Sequence, residues 1–74
     1  MVKITKALAE KMYNNGEEVM ILPSKMRPTG PFGVWMTKPE EAEEDAFRKL
    51  CNAIFYYNCS PETGMGLTYY AKEV

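Results

Sequence analysis

The sequence predicts an α+β fold: one domain, residues 1–74, in which two helices cover one face of a three-stranded, mainly antiparallel sheet in the order α-β-β-α-β. Three observations carry this prediction. Two segments repeat apolar residues at helical spacing, three short runs of strand character lie between Gly, Pro or Asn, and a chain of 74 residues supports a single core. Hydrophobic residues make up 46% of the chain and charged residues 26%, which is too apolar for intrinsic disorder.

The first helix is expected from Lys6 to Asn14. Thr5 stands at its N-cap, Ile4, Leu8 and Met12 recur every fourth residue, and Asn15-Gly16 closes it because both residues tolerate left-handed backbone. Glu18 to Leu22 has too little alternation for a half-exposed strand and reads as a central strand stopped by Pro23. Ser24 to Pro31 is a turn-forming loop with two bases, Lys25 and Arg27, and no acid. Phe32 to Met36 reads as the second strand, with Phe32, Val34 and Met36 on one side and Trp35 on the other, paired antiparallel with the first.

The second helix is expected to open at Pro39 behind a Thr37 or Lys38 cap. Glu40, Glu41, Glu43, Glu44 and Asp45 then sit at its positive end, Glu44–Arg48 and Asp45–Lys49 form ion pairs, and Phe47, Leu50, Cys51, Ile54 and Tyr57 line its buried face. Asn58 to Gly66 contains Ser60-Pro61, Gly64 and Gly66 and must turn. Leu67 to Lys72 alternates as the last strand, with Leu67 and Tyr69 facing the helices and Tyr70 facing away. If Val2 to Ile4 adds a short strand, the order becomes βαββαβ, the ferredoxin-like arrangement.

Composition narrows the chemistry. The chain has no histidine, and Cys51 and Cys59 alone cannot supply the four cysteine or histidine ligands of a structural zinc site, so no metal or cofactor is expected. In one continuous helix the two cysteines would stand about 12 Å apart along the axis, beyond the roughly 7 Å a disulfide allows, and both are expected as free thiols. The clustered carboxylates lie at a solvated helix start, where none is desolvated as acid-base catalysis requires. No catalytic residue is therefore named, and the chain is expected not to be an enzyme.

No apolar run approaches the roughly 18 residues of a membrane span, and the N-terminus lacks a signal-peptide pattern, so a cytoplasmic location is expected. The net charge of -1 divides unevenly. Six bases face three acids up to Lys38, net +3, and seven acids face three bases beyond it, net -4. Such a dipolar surface steers macromolecular partners.

The expected activity is therefore binding. A sheet covered by helices on one side leaves the other bare, and aromatic residues and arginine are enriched at interface centres. Trp35 and Tyr70 on that outer face, flanked by Lys25 and Arg27, form the candidate contact surface for a protein partner or a second copy of the chain. Single-stranded nucleic acid is the alternative ligand for the basic loop and the open face. Gly30-Pro31-Phe32-Gly33-Val34-Trp35-Met36 loosely resembles the third-strand motif of RNA recognition motif domains, with Pro31 interrupting it and Met36 replacing its last aromatic.

Ile4-Thr5-Lys6, Met12-Tyr13-Asn14-Asn15-Gly16, Leu22-Pro23-Ser24-Lys25, Tyr56-Tyr57-Asn58-Cys59 and Tyr69-Tyr70 carry a second resemblance. Through them most of the chain looks like short uncharacterised proteins of Firmicutes genomes and their mobile elements. That resemblance implies a small bacterial or phage accessory protein and no particular activity.

Overall fold

A computed structural model describes residues 1–31, 33–58 and 66–73. Five elements follow one another: β1 (Val2–Ile4), α1 (Lys6–Asn14), β2 (Met20–Pro23), α2 (Ala46–Asn58) and β3 (Leu67–Ala71). The expected α+β class holds, with two helices and a three-stranded antiparallel sheet. The short strand considered at Val2 to Ile4 is present as β1, whereas residues 33–36 supply none, so the order is β-α-β-α-β.

α1 forms where its spacing places it. The Thr5 hydroxyl accepts the Leu8 N–H at 3.2 Å and so satisfies one of the helix's unpaired first-turn donors. At the other end Asn15 and Gly16 return their N–H groups to the last carbonyls, with Gly16 at φ +83°, a left-handed angle that glycine adopts without strain. Thr5→Ala is expected to cost about 1 kcal/mol and Thr5→Ser much less, readable as a shift in the urea midpoint.

The sheet order is β1-β3-β2, which corrects the expectation of a central β2. β3 is central, antiparallel to β1 through Lys3↔Tyr70 and Ile4↔Tyr69, and to β2 through Met20↔Tyr70 and Ile21↔Tyr69. Ile4, Tyr69 and Ile21 share one face with Ala71 and Val19, and both helices pack there through Ala9, Tyr13, Phe47 and Cys51. Phe47 is the hub of that layer. Its ring meets Tyr13 edge-on at 5.7 Å and lies nearly parallel to Tyr69 at 6.1 Å.

The opposite face is not bare, which corrects the second expectation. Met20 and Leu22 alternate onto it and are only 3% and 1% exposed, while Tyr70 is half-buried. The chain after β2 accounts for this cover. It returns along the outside of β2, where Val19 and Met36 exchange both backbone hydrogen bonds at 2.9 and 2.8 Å. Burial on both faces therefore comes from a returning segment and not from a central position in the sheet.

Residues 33–36 reach ladder geometry only at Met36. Three successive turns precede it, closed by Met26 N–H to Pro23 O, Gly30 N–H to Arg27 O and Gly33 N–H to Gly30 O. Pro28 and Pro31 remove donors that a strand would need. The turns are also tight, since a Cβ on Gly33 would stand 1.9 Å from the Pro28 carbonyl oxygen.

α2 begins at Ala46, not at Pro39. The segment before it forms isolated turns, with Ala42 N–H bonded to Pro39 O and Ala46 N–H to Glu43 O. Extending the helix backward would set Glu40 against Glu44 and Glu41 against Asp45, like charges four residues apart, with only Ala42 to offer the core. Asp45 instead takes Arg48 at 2.7 Å and Lys49 at 3.7 Å, and Glu43 also pairs with Lys49. The expected Asp45–Lys49 pair is thus present, while Arg48 pairs with Asp45 where Glu44 was expected. These exposed pairs add little stability.

The expectations for Phe32, Cys59 and the Tyr57 ring fall outside what is described. Among the described residues no helix is long and apolar enough to cross a membrane.

Candidate interaction surface

The four residues expected at a binding surface are only partly brought together. Tyr70 lies on the outer sheet face between Lys3 of β1 and Met20 of β2. Trp35 reaches the same face from the returning segment, with Lys72 Nζ held 5.5 Å from its ring centroid. Lys72 also pairs with Glu18. Trp35 is thus half-buried and occupied by a cation, so one face of its ring is not free to stack on a base. Residues 33–36 do not make a strand, so the segment that resembles the third-strand motif is not a strand among the described residues.

Lys25 and Arg27 are exposed on the turns after β2 and make no ion pair among the described residues. From Val19 to Met36 the sequence contains these two cations and no acid at all. Among the described residues these two cations have no ion-pair partner, while the acids of residues 40–45 are partly neutralised by Arg48 and Lys49.

Between the returning segment and α2 lies a groove of about 150 Å³. Met26, Val34 and Met36 form one wall, Leu50 and Ile54 of α2 the other, and Ile21 of β2 the floor. Val34 is 54% exposed, high for an aliphatic side chain beside a core. Sequence reasoning placed Leu50 and Ile54 on the buried face of α2, yet both remain half-buried because β2 ends the sheet there. The groove was not legible as such, since its walls come from three segments distant in sequence. A larger hollow of about 290 Å³ beside α1, lined by Lys11, Met12, Glu17 and Glu73 among others, mixes both signs of charge.

Among the described residues the one thiol is that of Cys51. It is a free thiol buried in the core, with Tyr69 as hydrogen-bond partner, as its expected packing role requires. Burial pushes the thiol pKa up, with the Tyr69 contact opposing in part. Tyr69 is pushed up to about 12, by burial first and then by Cys51, and Tyr13 is raised for the same two reasons. A thiol that resists ionisation and sits among two aromatic hydroxyls is a packing residue, not an activated nucleophile. Among the described residues no cluster of three or more His, Cys, Asp or Glu could hold a metal ion.

What the surface offers is apolar contact and two cations that make no ion pair among the described residues. Comparison with protein-family models, with curated proteins and with solved structures gives no match for this chain.

Proposed function

We propose that this protein is a small, cytosolic, non-catalytic interaction module of bacterial or mobile-element origin that binds another protein. The observation that carries the reading is the apolar groove beside β2, rimmed by a segment with two cations and no acid. A small domain does not ordinarily leave Val34 so exposed next to half-buried Met26, Met36, Leu50 and Ile54. Trp35 and Tyr70 extend the contact area onto the outer face, where aromatic residues favour association. Lys25 and Arg27 select an acidic partner and raise the rate of encounter.

The test is affinity capture from the source cell with the full chain as bait. A partner retained by the wild type and by Asn52→Ala, on the exposed side of α2, but lost with Lys25→Glu/Arg27→Glu, supports the reading. Sedimentation over a range of concentrations tests whether the partner is a second copy. Binding to single-stranded oligonucleotides that weakens with salt and disappears in the same double variant would replace this reading by a nucleic-acid one. Failure to retain any partner, a strict monomer and no oligonucleotide binding together would sink it.

A further inference from the structure

We propose that the outer face of the sheet, over β1 and β3, takes an acidic segment of the partner protein, held through Lys3, Tyr70 and Lys25. This rests on the reading of the chain as a protein-binding module and says where the partner's acidic part lies. Strand register sets one row of side chains across that face. Lys3 of β1 stands opposite Tyr70 of β3, and Tyr70 stands opposite Met20 of β2. The Val19–Met36 bridge extends the row, because antiparallel pairing then puts Trp35 opposite Met20. Continued by two residues, the same register brings Glu18 to Lys72, and these two form an ion pair. In the other direction Leu22 stands opposite Thr68.

The cover over this face is one-sided. The returning segment shields β2, whose Met20 and Leu22 are buried, whereas Lys3 is exposed and Thr68 and Tyr70 are half-buried. The charge is one-sided too. Glu18 is the one acid that register places on the face, and it is taken by Lys72, whose Nζ also stands over the Trp35 ring. Lys3, Lys25 and Arg27 make no ion pair among the described residues. Lys25 follows Ser24, whose hydroxyl shares a 2.8 Å hydrogen bond with that of Thr68, on the row beside Tyr70. Glu17 and Glu73 lie on the helical side, where they line the hollow beside α1.

Tyr70 is therefore bracketed by cations, Lys3 on one side and the turn at Lys25 and Arg27 on the other. β1 and β2 are two strand spacings apart, about 10 Å, which an extended chain crosses in about three residues. The fitting segment has carboxylates at both ends and an aromatic or aliphatic residue between them to lie on Tyr70. A second copy is the wrong occupant, because two such faces would bring like charges together and Lys3 sits on the edge strand itself.

The experiment titrates the full chain, labelled for amide NMR, with a short blocked peptide that has paired aspartates at each end and a phenylalanine between threonines. The peptide should shift the Lys3 and Tyr70 resonances and change the Trp35 fluorescence. Lys3→Glu, or lysines in place of the peptide's aspartates, should weaken binding at least about fivefold, and so should raising salt from about 0.05 to about 0.3 M. Val34→Ser, in the groove, should alter it less than about twofold. Lys3 is exposed, so its variant keeps the fold, which circular dichroism verifies, and Lys3→Gln should give an intermediate loss.

Shifts confined to Met26, Val34 and Leu50 would place the peptide in the groove and overturn the proposal. Binding indifferent to Lys3→Glu, or equal for the lysine peptide, overturns it as well. A dimer in sedimentation that Lys3→Glu dissolves would assign the face to a second copy, and a single-stranded oligonucleotide that displaces the peptide would assign it to nucleic acid; both overturn it. A captured partner that persists in Lys3→Glu but is lost in Lys25→Glu/Arg27→Glu refutes this contact and leaves the interaction reading standing.

Discussion

Phe47→Ala is expected to lower the unfolding free energy by about 3–5 kcal/mol, the usual cost of deleting a fully buried ring and leaving a cavity. Phe47 is only 1% exposed and its ring joins Tyr13 of α1 to Tyr69 of the central strand. Both helices and the sheet therefore lose contact at once. A chain of this length has a total stability of roughly 4–11 kcal/mol, so the variant should be partly or wholly unfolded at room temperature. Urea unfolding followed by circular dichroism measures the loss. Phe55→Ala, at a ring that is 43% exposed on the same helix, should change stability by no more than about 0.5 kcal/mol. Equal losses in the two variants would place the hub of the core elsewhere.

The second large effect is alkaline. Tyr69 has an ordinary pKa of 10.0 and is pushed up to about 12 in the folded protein by burial and by Cys51. Above pH 10 the unfolded chain releases this proton while the folded chain retains it, so the folded state binds more protons and stability falls as pH rises. The contribution is complete below pH 10 and is lost progressively up to about pH 12. Two pH units would correspond to about 2.7 kcal/mol if fully realised, and solvent screening of the partly exposed hydroxyl leaves a loss of about 1–2 kcal/mol. Tyr13 and Cys51, both raised, add losses of the same sign. Urea unfolding at about pH 8 and about pH 11.5 should show the decline in the wild type and a smaller one in Tyr69→Phe. Identical declines would mean that Tyr69 ionises as freely folded as unfolded.

Local signals and tertiary ones were unequally legible. α1 was readable to both ends because its cap, its spacing and its Asn-Gly stop lie within twelve residues, Thr5 to Gly16. Tyr69 and Cys51 were placed in the core by the alternation of one strand and the stripe of one helix, and they are there. Among the candidate site residues, Lys25 and Arg27 are exposed as composition implied, whereas Trp35 and Tyr70 are half-covered. Composition cannot show that Lys72, distant in sequence, comes to rest over the Trp35 ring.

By itself the sequence determined the α+β class, the position of α1, the apolar faces and the uneven charge, because each depends on neighbours within a few turns of chain. The tertiary structure decided which strand is central. Val2–Ile4 is so short that the sequence offers it only as an alternative, and pairing with β3 makes it a strand. The apolar run of β2 fits either a central strand or a covered edge, and the choice rests on where residues 33–36 return. The start of α2 was likewise decided by competition: cap and dipole favoured Pro39, whereas repulsion among the acids and the lack of an apolar face favoured Ala46. The groove belongs to the same class, since its walls meet only once the strands have chosen their order and residues 33–36 have returned beside β2.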